Sequence, residues 1–231
     1  MRPWTDGMPK PMIPVAGKPL LEHQLEWLAR SGVSEVFMGL GYKAQAVMDH
    51  FGDGKPWGLR VDYHVEESPR GTAGCVRDIW PAIRHEALIV YGDMFLSIDL
   101  SALLRQHHRL GAAATLVLAQ TDHPEDSDLV SLEGDLITGF YRGCVPSGER
   151  RTSGAFGDRS PLAAAATWVV TDRIMDRVPA DRPSDFGRDI FPQALAAGER
   201  LAGFQTRDTI ADLGTPQRLE AFVKRAGGMT P

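Results

Sequence analysis

Cysteine is scarce: only Cys75 and Cys144 occur in 231 residues. Two thiols cannot supply the several bridges of a small secreted domain, so a disulfide framework is excluded and a reducing compartment fits. No apolar run approaches the ~20 residues that cross a bilayer, which excludes a membrane span as the chain's organising feature. Positive charge is not in excess either. Lys and Arg number 25 against 30 Asp and Glu, a formal net charge of −5. That sign is wrong for an unspecific grip on nucleic acid, although it permits a local basic pocket for phosphates. Met1 to Lys10 contain no apolar stretch of the kind a secretory leader needs. The expected compartment is the cytoplasm, with neither nucleic acid nor membrane as partner. Internal repeats and low-complexity tracts are missing, and no His/Cys set has zinc-ligand spacing.

What is present reads as alternating strands and helices. Apolar Leu20, Leu21, Leu25 and Leu28 mark a helix over 18–31, with Gly32 as its stop. Strands are expected at 33–40, 59–65, 87–91 and 113–119, and helices at 42–51, 72–83 and 100–110. This βαβα rhythm predicts an α/β fold with a doubly wound, mostly parallel sheet and helices on both faces. After Gln120 the rhythm changes to a polar-turned strand pair around Glu133-Gly134-Asp135, a Gly-, Ser- and Arg-rich loop over 143–159, a strand at 163–170, and helices at 171–178, 186–197 and 215–225 with a short strand at 201–206. The length fits a single domain, 1–231, which the change of rhythm divides into 1–120 and 121–231, with a small β appendage.

Five features carry chemistry. Lys10 lies between Pro9 and Pro11, so a cation sits on a stiffened segment with little freedom to lose when it grips an anion. Taken alone it is far better explained as a solvated lysine in a proline-bounded turn; the residues flanking it reverse that balance. Arg70-Gly71-Thr72-Ala73-Gly74 follows a strand and opens a helix; small residues let a flat ring approach, and free N–H groups at a helix start favour an acceptor. The plainer explanation is a strand-to-helix turn capped by Thr72. Tyr91-Gly92-Asp93 ends an apolar strand in a carboxylate at the carboxyl edge of the sheet, where open α/β folds bind ligands. Asp185, in Ser184-Asp185-Phe186, is expected to cap a helix whose Phe186, Ile190 and Phe191 pack inward. Asp212 precedes Gly214 and a helix begun by Pro216; two carboxylates from distant sequence are the usual seat for a divalent ion among phosphates. His107-His108 is expected on a solvated helix face, and Trp27, Trp80 and Trp168 in packing.

In this order the motifs resemble the sugar-1-phosphate nucleotidyltransferases. Pro9-Lys10-Pro11-Met12-Ile13-Pro14-Val15 with Ala16-Gly17-Lys18-Pro19-Leu20 is similar to the family's PKPM-P-V-GKP signature, and Gly41-Tyr42-Lys43 and Phe51-Gly52-Asp53-Gly54 also match its wording. The likeness runs from the first residues to the last helix. It implies transfer of a nucleoside monophosphate from an NTP to a sugar-1-phosphate with release of pyrophosphate, assisted by Mg²⁺. Carried over, Lys10 contacts phosphate, Asp93 and Asp212 hold the metal, and Gly71, Thr72 and Gly74 face base or sugar. The family often forms homo-oligomers.

The chain departs from the family in three places. The family opens with a central strand and a Gly-Gly-x-Gly-Thr-Arg loop, and Met1 aligns just after that arginine. The expectation is a start further upstream; the alternative is an inactive relative that binds nucleotide or sugar phosphate as a regulatory or assembly subunit. Where many members carry a Glu-Lys pair for the sugar phosphate, this chain has Tyr141-Arg142-Gly143, so Arg142, or Arg150 or Arg151, takes the cation's part. Ala163 to Trp168 replaces an Asn and Gly near the sugar, which leaves the sugar and the base unspecified.

Overall fold

A computed structural model of the chain describes residues 7–83, 85–121, 124–142 and 162–226. The loop expected over 143–159, with Cys144, Arg150 and Arg151, lies outside them. The strands are β1 (Pro14–Val15), β2 (Lys18–Pro19), β3 (Glu35–Leu40), β4 (Arg60–Val65), β5 (Glu86–Val90), β6 (Met94–Ser97), β7 (Ala114–Gln120), β8 (Asp128–Glu133), β9 (Leu136–Arg142), β10 (Leu162–Thr171), β11 (Leu201–Gln205) and β12 (Thr209–Asp212). The helices are α1 (Leu20–Arg30), α2 (Ala44–Phe51), α3 (Gly71–Ile79), α4 (Leu100–Leu110), α5 (Asp172–Met175), α6 (Phe191–Ala196) and α7 (Pro216–Ala226). They form two compact units. One comprises Met1–Pro69, Tyr91–Asp99 and Asp208–Pro231; the other comprises Arg70–Val90 and Leu100–Arg207.

In the first unit the signature segment folds into a miniature hairpin. Val15 pairs with Lys18 across Ala16-Gly17, both at positive φ, the conformation a two-residue primed turn demands. Leu20, Leu21, Gln24, Leu25, Trp27 and Leu28 form the buried face of α1 at helical spacing. The helix ends as expected at Gly32: its N–H reaches Ala29 O and that of Val33 reaches Leu28 O, the paired bonds of a Schellman stop. The β3–α2–β4 crossover gives a parallel pair in register from Glu35↔Arg60 to Leu40↔Val65. Ile13, Val15, Leu20, Leu213, Leu219 and Phe222 form one buried cluster, which ties the hairpin to α7.

The second unit is built on a six-stranded sheet in the order β5-β10-β7-β11-β9-β8. Here the mostly parallel expectation is corrected. β7–β11 is the sheet's one parallel pairing among the described residues; β10 runs antiparallel to both β5 and β7, and β8 and β9 form a hairpin. The expectation fails because an apolar run such as Ala163–Val170 signals burial and says nothing of strand direction. In its core Phe186 and Phe191 stack on each other and Trp168 meets both edge to face. Three helices are shorter than the pattern implied, the one expected over 171–178 being the single turn Asp172–Met175. Pro81 closes α3 in a tight turn at Trp80–Ala82, and Phe186–Ile190 is a wide π-type turn before α6, whose first turn accommodates Pro192 because no N–H is needed there.

One polar residue on the apolar stripe of α1 locks the first unit's central turn. Gln24, 4% exposed, donates to Tyr91 O at 2.8 Å and to Met94 O at 2.6 Å. Trp27, one turn on, donates to Ile98 O at 3.1 Å. Together they fix both ends of β6. Replacing Gln24 by Leu removes both bonds and leaves Met94 O buried without that donor, a cost of about 1–3 kcal/mol. Urea unfolding of Gln24→Leu should show that loss; an unchanged midpoint would mean the turn does not depend on this clamp.

Candidate active site

The antiparallel ladder β6–β12 brings distant residues together. Asp212 lies opposite Met94, and Ala211, Ile210 and Thr209 continue opposite Phe95, Leu96 and Ser97. One step beyond the ladder, the Leu213 N–H donates to Asp93 O at 2.9 Å. The turn carrying Asp93 is thereby joined to the turn after Asp212.

Close backbone approach completes the arrangement. A methyl carbon placed on Gly92 would lie 2.9 Å from Pro11 Cγ, so the missing side chain lets the Pro9-Lys10-Pro11 segment reach this turn. Lys10 Nζ is 3.8 Å from Asp93 Oδ2. A methyl carbon on Gly214 would lie 2.8 Å from Asp212 Oδ1 and 3.3 Å from Asp93 Oδ2, so oxygens of both carboxylates border one small volume. The Gly214 N–H donates to Asp212 Oδ1 at 2.6 Å, and Arg218 Nη1 donates to Asp212 Oδ2. Lys10, Asp93 and Asp212, read separately from the sequence, therefore meet in one place.

The electrostatics of Asp93 follow from this crowding. Its carboxyl is pushed above the usual carboxylate range, chiefly by burial and then by the neighbouring Asp212 charge; Lys10, its own backbone N–H and Arg218 partly offset the rise. Two hard, mutually repelling oxygen donors suit a hard divalent cation. Among the described residues no cluster of three or more His, Cys, Asp or Glu could hold a metal. An ion here would complete its shell with phosphate and water, as Mg²⁺ commonly does.

The other predicted residues lie in the second unit. Gly71 and Gly74 open α3 against the chain segment at Ser184. Ser184 O accepts the N–H groups of Ala73 at 3.0 Å and Gly74 at 3.3 Å. Thr72 Oγ1 donates to Asp185 Oδ2 at 2.7 Å and accepts from Phe186 N. Two N–H groups of this helix start, those of Ala73 and Gly74, are thus engaged by the chain itself. Asp185 caps the following turn through Gly187 N and Arg188 N, and Phe186, Ile190 and Phe191 are buried, as expected. Arg142 is the last residue of β9. A cavity of about 450 Å³ in this unit is lined by His85, Glu86, His107, His108, Gly111, Ala112, Thr171, Asp172 and Arg173, none of them a predicted site residue. There the solvated-face expectation for His107 is corrected. Its ring is buried, with Nδ1 2.8 Å from Thr115 Oγ1 and Nε2 3.2 Å from Glu86 Oε2, and burial holds its pKa below the usual value. His108 is exposed.

Two contributors escaped the sequence reading. Gln24 breaks the apolar stripe of α1, and a polar residue at a core position was the signal. Arg218 sits in the first turn of α7, where the helix dipole disfavours a cation.

An α/β frame that gathers a lysine and two carboxylates has the equipment for phosphoryl-type transfer. Comparison with known proteins agrees. The nucleotidyl transferase family model matches residues 1–226. The chain is 32% identical over 224 residues to the mannose-1-phosphate guanylyltransferase of Mycobacterium tuberculosis, covering 94% of this chain and 58% of that protein. It is 32% identical over 134 residues to the D-glycero-alpha-D-manno-heptose 1-phosphate guanylyltransferase of Campylobacter jejuni, 58% of each chain. The chain thus spans 58% of the length of these curated relatives. In fold it matches the crystal structure of HddC from Yersinia pseudotuberculosis with a TM-score of 0.77 at 19% identity, over 95% of this chain and 90% of that one. HddC complexed with GMP-PN gives 0.76 at 20% identity with the same coverage. The chain belongs to the nucleotidyl transferase family, on the branch of the sugar-1-phosphate nucleotidyltransferases.

The raised Asp93 pKa carries a stability consequence. A proton binds Asp93 more tightly in the folded state than in the unfolded one, so its share of stability is full below the ordinary carboxylate range and falls as pH rises from there through the raised value. Asp93→Asn should therefore raise the thermal midpoint at pH 7, and the gain should fade on acidification. A variant less stable than the parent at pH 7 would contradict the assignment.

Proposed function

We propose that this chain transfers a nucleoside monophosphate from an NTP to the phosphate of a sugar-1-phosphate, releasing pyrophosphate. The observation carrying this reading is the convergence of Lys10, Asp93 and Asp212 on one strand ladder, in a chain with this family membership. An oxygen of the sugar phosphate attacks the α-phosphorus in line, and the bond to the pyrophosphate oxygen breaks. No general base is needed, because that phosphate oxygen is already ionised at neutral pH. Lys10 donates to a phosphate oxygen and offsets the charge of the leaving pyrophosphate, the kind of positioning and neutralisation that dominates this chemistry. Asp93 and Asp212 would hold a magnesium ion, which when bound supplies further neutralisation along the triphosphate. Gly71, Thr72 and Gly74 are proposed as nucleotide or sugar contacts, and Arg142 as the cation for the sugar phosphate. Two relatives bear guanylyltransferase names, so GTP is the nucleotide to test first, with mannose- and heptose-type 1-phosphates as acceptors.

Pyrophosphate release is the direct assay. Magnesium-dependent release from GTP and a sugar-1-phosphate is expected. Lys10→Ala should slow it by about 100-fold or more, with Asp93→Asn and Asp212→Asn comparably impaired. Release that survives Asp93→Asn undiminished would refute the metal assignment. Gly214→Ala offers a geometric check: its methyl would displace the Asp212 carboxylate, at a cost of about 10- to 100-fold in turnover, while leaving the thermal midpoint within a few degrees of the parent. Arg142→Ala should raise KM for the sugar phosphate with little change in kcat; an unaltered KM removes Arg142 from the site.

A further inference from the structure

Four charged groups line the site, two carboxylates flanked by a cation on either side. Lys10 stands beside Asp93, Asp93 shares a border with Asp212, and Asp212 accepts from Arg218. The formal charges sum to zero. Both oxygens of Asp212 are engaged, Oδ1 by the Gly214 N–H and Oδ2 by the Arg218 guanidinium.

Arg218 is in an unusual place. It occupies the third position of α7, close to the positive end of the helix dipole, where an acidic residue is favoured. Its backbone is fixed there by the Thr215 hydroxyl, which accepts from Arg218 N at 3.2 Å. Asp212 offsets the local penalty. A metal on Asp212 would draw charge from the carboxylate and weaken the hold of Oδ2 on the guanidinium. The Arg218 side chain is 23% exposed even while paired with Asp212, so it borders solvent, and it lies at a helix start that already attracts anions. Its planar fork matches a phosphate edge better than a lysine does.

We propose that Arg218 is a second polyphosphate-binding cation, held on Asp212 until a divalent ion and its phosphate ligand replace that pairing. The inference rests on the nucleotidyltransferase reading and adds a residue to it. Lys10 and Arg218 then flank the two carboxylates, and an incoming metal–polyphosphate, still anionic, meets a cation on each side. Metal binding to the carboxylates and phosphate binding to the cations become one coupled event.

Calorimetric titration of the full chain separates the possibilities, with pyrophosphate and GTP as phosphate probes and Mn²⁺ as the metal probe. In magnesium, Arg218→Gln should bind pyrophosphate at least 10-fold more weakly than the parent, while Mn²⁺ alone binds the variant as tightly or more tightly because its competitor is gone. Without metal, in EDTA, Asp212→Asn should bind pyrophosphate several-fold more tightly than the parent, since Arg218 is released, and adding Arg218→Gln should abolish the gain. Equal pyrophosphate affinity of parent and Arg218→Gln overturns the proposal while leaving the nucleotidyltransferase reading intact. Parallel loss of Mn²⁺ and pyrophosphate overturns it in favour of a residue that merely orients Asp212. An Asp212→Asn variant with no metal-free gain overturns it independently of how Arg218→Gln folds. A parent that binds neither GTP nor pyrophosphate in magnesium defeats the functional reading and this proposal with it.

Discussion

The pairing of β6 with β12 is the constraint from which the candidate site follows. Four residue pairs of antiparallel ladder, extended by the Leu213 N–H to Asp93 O bond, join two turns separated by more than a hundred residues of chain. A slip of one residue would turn Asp212 to the opposite face of the ladder. The register is protected from both sides. Gln24 and Trp27 of α1 fix the ends of β6, and the cluster of Ile13, Val15, Leu213, Leu219 and Phe222 fixes the segment after β12. Because Ile13 and Val15 belong to the same cluster, the packing that sets the ladder also brings Lys10 to Asp93.

This geometry stores electrostatic tension where the chemistry would use it. Two carboxylates border one volume, and burial, followed by the Asp212 charge, raises the affinity of Asp93 for protons. Lys10 and Arg218 relieve part of the repulsion without filling the space between the oxygens. A divalent ion would relieve more, so the fold's cost at this point is also its affinity for metal and phosphate. The glycines at 92 and 214 are part of the same arrangement, since a side chain at either would intrude on Pro11 or on the carboxylates.

Much of this was legible in the sequence because the relevant signals are local. The helix at α1, its stop at Gly32, the β3–α2–β4 crossover and the cap at Asp185 each announce themselves within a few residues. The strands that make the site did not. β6 and β12 are four residues each and partly exposed; β6 alternates in burial, but its Met-Phe-Leu-Ser sequence does not show it, and β12 does not alternate at all, so their mutual pairing defines them. Strand direction in the large sheet was hidden for a related reason: β10 is as apolar as a parallel strand would be. His107 looked solvated beside His108, yet on a helix adjacent residues point about 100° apart, and one of them faces Thr115 and Glu86. Gly71 to Gly74 gave a true helix start, but the use of its N–H groups by Ser184 depended on a segment more than a hundred residues away.

The proximity of the two carboxylates is most directly tested by following the Asp93 side-chain carboxyl by NMR as pH is varied, in the parent chain and in Asp212→Asn. The account predicts that Asp93 titrates above the ordinary carboxylate range in the parent and moves down once the Asp212 charge is removed. An Asp93 titration that is the same in both proteins would contradict the arrangement on which the site is built.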